Sequence, residues 1–152
     1  MKRIPKIFLF LLFCSSACTN NDSRDKVTSE NNVDAARNFI RAALDGKFNE
    51  ARSFMLADSL NTQYLDAVER NYSKMPPDTM NAYRGASIRF YPPTTQVNDS
   101  TTIIIYANSF KNDLDTLRVI KINGQWLVDL KYLFEHDADT SFQKPVHKDT
   151  LK

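Results

Sequence analysis

The sequence is poor in the residues that build covalent and metal chemistry: two cysteines, two histidines, three glycines and one tryptophan in 152 residues. Both cysteines, Cys14 and Cys18, stand near the N-terminus, so the chain beyond them has no thiol with which to close a disulfide or form a Cys/His site. The glycines compose no phosphate-cradling or dinucleotide-binding fingerprint, and HExxH and calcium-loop patterns are absent too. His136 and His147 fall in a polar stretch that cannot hold a general base in fixed geometry. These absences argue against metal-dependent hydrolysis, nucleotide chemistry and dithiol redox work. The leading apolar run, Ile7 to Phe13, is too short to cross a bilayer stably.

What stands at the N-terminus is a secretory layout: Lys2, Arg3 and Lys6, the apolar run, then the small residues Ser15, Ser16 and Ala17 before Cys18. Ser15-Ser16-Ala17-Cys18 resembles the lipobox of bacterial lipoproteins, with Ser15 where an aliphatic residue is usual. The resemblance implies a signal peptide over 1–17 and lipidation of Cys18, with a membrane partner reached through the lipid anchor. Each buried acyl methylene would contribute about 0.8 kcal/mol. The alternative is ordinary signal-peptidase cleavage nearby, leaving Cys18 a free thiol or trimming it away. Thr19 is not the aspartate that retains such proteins at the inner membrane, which by resemblance favours the outer membrane, on its periplasmic or its surface side. Without Lys2, Arg3 and Lys6 the chain carries 17 basic residues against 18 acidic. A net charge near −1 gives no electrostatic case for nucleic acid.

Residues 18–32 are polar, charged and free of aromatics, which predicts a flexible tether. A single domain over 33–135 follows, then a polar tail over 136–152. Val33, Ala36, Phe39, Ile40, Ala43 and Leu44 recur at helical spacing, with Gly46 as a left-handed cap. A second helix is expected from about Asn49, as N-cap, to Ala57, with Ala51, Phe54 and Met55 inward. Asp58 or Ser59 then caps a third, whose inner stripe is Leu65, Val68, Tyr72 and Met75 and which stops at Pro76-Pro77. Asp78 to Gly85 reads as a loop.

Thereafter the period is two. Strands are expected from Ile88, over Thr101 to Phe110, Leu114 to Ile122, and Gln125 to Leu133. Pro92-Pro93 must bend the first strand or confine it to an edge. Asn98-Asp99, Asn112-Asp113 and Asn123-Gly124 suit the positive φ of tight turns. A two-residue Asn123-Gly124 loop sets Ile122 opposite Gln125, Lys121 opposite Trp126, Val119 opposite Val128, Arg118 opposite Asp129 and Leu117 opposite Leu130. The fold class is therefore α+β: three N-terminal helices packed on a four-stranded antiparallel meander.

The stretch Ala35-Ala36-Arg37-Asn38-Phe39-Ile40-Arg41-Ala42-Ala43-Leu44-Asp45-Gly46-Lys47-Phe48-Asn49-Glu50-Ala51, with Ile120-Lys121-Ile122-Asn123-Gly124-Gln125-Trp126-Leu127-Val128 far downstream, resembles uncharacterised lipoproteins of the nuclear transport factor 2-like superfamily. That resemblance implies a curved sheet forming a cone with helices across its concave face, often with a pocket between them. Relatives of this kind bind small apolar molecules, act as isomerases or dehydratases, or only contact proteins, so fold alone does not choose among them. Asp58 to Leu60 is too short for the early hairpin many relatives have, which implies a shallow cone.

Polar groups able to point into such a cone are Tyr64, Asp66, Tyr72, Tyr83, Tyr106, Asp129 and Tyr132. Spacing fixes no pair of them to one site, and a buried tyrosine is most often packing with a satisfied hydroxyl. No residue is assigned as catalytic and no cofactor or metal is implied. The pocket or interface candidates are Tyr64, Tyr72, Tyr106, Trp126, Arg118 and Asp129, the last two expected as an exposed cross-strand pair on a mixed sheet face suited to a homodimer. The expected role is binding of a protein partner or a small apolar ligand without catalysis. The alternatives are an isomerase- or hydratase-type enzyme using an Asp or Tyr in the cone, and a structural or assembly subunit. Finally, Asp-Ser/Thr pairs at Ser59, Thr79, Ser100, Thr116 and Thr150 resemble an O-glycosylation signal of some Gram-negative anaerobes, although cap and turn chemistry produces the same pairs.

Overall fold

The computed structural model describes residues 28–134. The signal, lipidation and tail readings, Cys18 and Thr150 among them, lie outside the described residues. Four helices are followed by four strands: α1 Asn32–Leu44, α2 Phe48–Ser53, α3 Ser59–Tyr72, α4 Pro77–Arg84, β1 Ile88–Asn98, β2 Thr101–Asn108, β3 Asp115–Ile122 and β4 Gln125–Asp129. A helical turn at 131–134 closes the described chain. The strands form one antiparallel sheet in the order β1-β2-β3-β4.

α1 begins inside the expected tether because Asn31 caps it, its side chain accepting from the Asp34 N–H at 2.9 Å. Its buried stripe, including Ala35, Ala36, Phe39 and Ile40, lies across the sheet and touches all four strands. Burying Phe39 and Ile40 is worth about 1.5–3 kcal/mol each. Gly46, at φ +75, terminates this helix as expected.

α2 is shorter than expected, and Asn49 lies within it rather than capping it. The helix stops at Ser53 because the next residues extend to pair with β4. The Leu56 N–H donates to the Val128 carbonyl at 2.9 Å and the Val128 N–H to the Phe54 carbonyl at 2.8 Å. That short parallel bridge, centred on Met55, covers the open edge of β4. α3 starts as expected on Asp58, which accepts from the Asn61 N–H at 2.9 Å.

The expected loop at Asp78 to Gly85 is instead α4. Pro77 occupies the first helical position, where its missing N–H costs nothing. The helix buries no residue fully, and its apolar stripe is only Met80 and Tyr83, both half-buried against the core, over two turns. Its C-terminus is held from outside: Arg41 donates to the carbonyls of Ala86 at 2.8 Å and Arg84 at 3.0 Å, a cation placed where the helix dipole is negative.

β1 runs along the sheet edge and carries the Pro92-Pro93 pair through a register shift between Tyr91 and Thr95. The β3–β4 register agrees with the sequence reading from Ile122 opposite Gln125 to Arg118 opposite Asp129, but the expected Leu117–Leu130 pair is not formed, because β4 ends at Asp129. Asn123 and Gly124 have φ of +50 and +81, and Asn112 is also positive at +58. Asn98 and Asp99 are not; the Asn98 side chain accepts the Ser100 N–H instead, turning the chain without positive φ. β4 ends at Asp129 rather than Leu133, because the Phe134 N–H bonds the Leu130 carbonyl in the closing turn.

Candidate functional site

Side chains alternate across a strand, so the buried Ile104 and Tyr106 of β2, Leu117 and Val119 of β3 and Val128 of β4 share the face covered by the helices. Between that face and the helices lies a pocket of about 360 Å³. Helical spacing builds its apolar walls: Phe39, Ile40, Ala43 and Leu44 are one face of α1, and Leu65, Val68 and Tyr72 one face of α3. Met75, Tyr83, Leu130 and Leu133 complete them, while the exposed Asn71, Lys111 and Phe134 place the mouth at the surface.

Polar groups meet the pocket where β2 ends and β3 begins. Tyr106 and Asp115 are register partners and both line it. The Tyr106 side chain is buried, and its hydroxyl donates to the Asp115 carboxylate. Burial, and then the neighbouring negative charge of Asp115, push the tyrosine hydroxyl far above its ordinary range, so it stays protonated at any physiological pH. Asn108 sits alongside, its side-chain carbonyl accepting the N–H groups of Phe110 at 3.1 Å and Lys111 at 2.9 Å. That turn fixes the start of the β2–β3 loop and brings Lys111 to the rim. Tyr72 is held by its hydroxyl, which donates to the Leu44 carbonyl at 3.4 Å, and by edge-on contacts with Phe48 and Tyr83.

Of the sequence candidates, Tyr72, Tyr83 and Tyr106 converge on this pocket. Tyr64 stands by its mouth, stacked on Phe134 with ring centroids 4.7 Å apart. Trp126 is half-buried elsewhere, under the Lys121 ammonium at 5.4 Å. Asp66 is outside as well, in an ion pair with Arg52 at 2.6 Å that Glu69 shares. Tyr132 lies beneath the Arg118 guanidinium. Among the glycosylation candidates, Ser59 and Ser100 are exposed and Thr79 and Thr116 half-buried.

Arg118 and Asp129 pair across β3 and β4 as expected, with Arg118 donating from Nη2 at 2.5 Å and from Nε at 3.1 Å. The expected exposure fails for Asp129, which is 3 % exposed. The segment that covers the β4 edge continues into α3 and brings Asn61 over it. Asn61, fully buried, accepts the Leu130 N–H at 2.6 Å and donates to Asp129 at 3.3 Å and Asp58 at 2.9 Å. Lys131 adds an ion pair to Asp58 at 2.7 Å. This network ties α3 to the end of β4 and faces away from the pocket, so its role is architectural.

The pocket residues that sequence reasoning missed are Asp115, Lys111, Asn108 and Asn71. Asp115 was legible in principle, since it stands two residues before Leu117 on the same strand and so shares its inward face. No protein-family profile, curated protein or solved structure matches the chain.

Proposed function

We propose that this chain is an envelope lipoprotein, anchored through Cys18, whose domain is a nuclear transport factor 2-like cone that binds a small, largely apolar ligand. The observation that carries the reading is the pocket between α1, α3 and the sheet, about 360 Å³ in volume and walled by leucine, isoleucine, phenylalanine and tyrosine. A pocket of this size, apolar along α1 and α3 and polar where Asn108, Lys111 and Asp115 meet it, suits small-molecule binding. The superfamily reading draws on the order of elements and on helices lying over one face of an antiparallel meander. The anchor reading draws on the layout of residues 2–18. Acyl mass on the N-terminal peptide of the native protein supports it, and an unmodified Cys18 there overturns it. The glycan reading is tested by the intact mass of the native protein: a match to the bare lipidated polypeptide overturns glycosylation at Ser59 or Ser100.

The enzymatic alternative draws on the Tyr106–Asp115 pair. A catalytic acid works best with a pKa near the operating pH. The shift at Tyr106 runs the other way, which favours a fixed hydrogen-bonding role.

Ala43 offers the direct test, because it lines the pocket from α1 and is only half-buried. Ala43→Trp fills the space. An environment-sensitive naphthalene fluorophore should bind the wild-type protein and lose at least about tenfold in affinity for the variant, with far-UV circular dichroism unchanged. Equal binding by both would place the fluorophore elsewhere and remove the reading.

A further inference from the structure

Asn108 is the last residue of β2, and strand alternation sends its side chain to the inner face that carries Ile104 and Tyr106. It is 6 % exposed and lines the pocket. Its Oδ1 accepts the N–H groups of both Phe110 and Lys111, which uses both lone pairs and fixes which corner of the amide is oxygen. The Nδ2 corner makes no hydrogen bond among the described residues. It is not sealed in the core either: among the described residues the side-chain atom that is both fully buried and unpartnered is Arg41 Nε, so Asn108 Nδ2 reaches accessible space, and the space beside it is the pocket. Buried polar groups are nearly always hydrogen-bonded, so an amide donor held open in a pocket marks where a ligand supplies an acceptor. The neighbouring groups differ. Tyr106 and Asp115 are engaged with each other, and Lys111 is exposed at the rim, where water and salt screen its charge. The group positioned for recognition inside the pocket is therefore a neutral donor, aimed by a turn built on the end of a strand.

We propose that the ligand is an apolar molecule carrying a neutral carbonyl group, a ketone, ester or amide, whose oxygen accepts from Asn108 Nδ2 while its apolar body lies against Leu65, Leu130 and Leu133. This rests on the pocket being a ligand site, as proposed above, and adds the polar group by which the ligand is recognised. The Phe110 and Lys111 N–H groups orient the amide, and Asn108 makes the contact.

Acetophenone and ethylbenzene share one skeleton and differ in the carbonyl, so each is titrated against the naphthalene fluorophore bound to the full chain at pH 8. Asn108→Asp keeps an oxygen for the two loop N–H groups and replaces the NH2 by a second acceptor. Acetophenone should lose at least about tenfold in affinity for this variant, since its carbonyl is left buried without a donor, while ethylbenzene is unchanged. Lys111→Ala should alter neither. Acetophenone binding equally to both proteins, or both probes weakening alike, would overturn the donor assignment and leave the apolar pocket standing. Benzoate binding more tightly than acetophenone would overturn the neutral character of the polar end. Failure of both neutral probes to displace the fluorophore from the wild-type protein would overturn the pocket reading itself. If Asn108→Asp does not fold, the infrared carbonyl stretch of bound acetophenone decides: a frequency below that in hexane, kept in Lys111→Ala, supports the Asn108 contact, and a hexane-like frequency overturns it.

Discussion

Replacing Asn61 by leucine tests whether a polar side chain in the core fastens α3 to the sheet. The two side chains share heavy-atom count and branching, and leucine is the larger, so the substitution removes hydrogen bonds without opening a cavity. It strips the Leu130 N–H, at a residue 2 % exposed, of its 2.6 Å acceptor, and a buried backbone donor left without a partner costs about 1–3 kcal/mol. The donations to Asp58 and Asp129 are lost too, but both carboxylates retain cationic partners in Lys131 and Arg118, so that loss adds only about 1 kcal/mol. The total is about 2–4 kcal/mol. With an m value of about 2 kcal/mol per molar urea, the unfolding midpoint falls by about 1–2 M at unchanged m. Trp126, the only tryptophan in the sequence, reports the transition by fluorescence. Leu60→Ala serves as control: its side chain is exposed, and the change should stay within about 0.5 kcal/mol. An Asn61→Leu protein as stable as wild type would show that α3 is held by its apolar stripe alone.

Two further substitutions probe the glycine at the end of α1 and the acid that starts α3. Gly46→Ala places a Cβ at φ +75 and 2.7 Å from a ring carbon of Tyr72, so strain of about 1–2 kcal/mol is joined by displacement of a pocket wall. Gly124→Ala meets the strain alone, since nothing lies within 4 Å, and should cost less and leave fluorophore binding unchanged; equal costs at both sites would refute the Tyr72 contact. Asp58 is held at about 2, below its ordinary 3.8, first by the Asn61 N–H and then by Lys131. A carboxyl lowered in the folded state stabilises the protein only while ionised, so its contribution is complete above about pH 4 and is lost as pH falls toward 2. Thermal midpoints of wild type should therefore converge on those of Asp58→Asn across that window, whereas parallel curves would remove Asp58 from the acid limb.

The parts of this fold that were legible are those in which local chemistry decides alone. α1 was readable because its apolar residues keep one period over three turns and a glycine ends it. The last hairpin was readable because Asn123-Gly124 leaves only one register open. α4 was not, since over two turns its apolar stripe is only Met80 and Tyr83, and its end depends on Arg41, distant in sequence. Asp129 was misread for a related reason. Its strand position sends it to the face away from α1, and only the return of the chain from Phe54 to Asn61 along the β4 edge buries it there.

The same distinction governs the pocket. Period two puts Asp115 inward beside Leu117, but its partnership with Tyr106 depends on the register of the β2–β3 hairpin, whose Asn112-Asp113 turn signature sits in a loop longer than two residues and so does not fix it. That end of the pocket takes its form only when the register places the carboxylate next to a buried hydroxyl and α3 leaves space beside it. Neither condition is local. A change that moves the register, such as deletion of one residue from the β2–β3 loop, should therefore weaken fluorophore binding even with Asp115 and Tyr106 both present, because the register and not either residue alone shapes that end of the pocket.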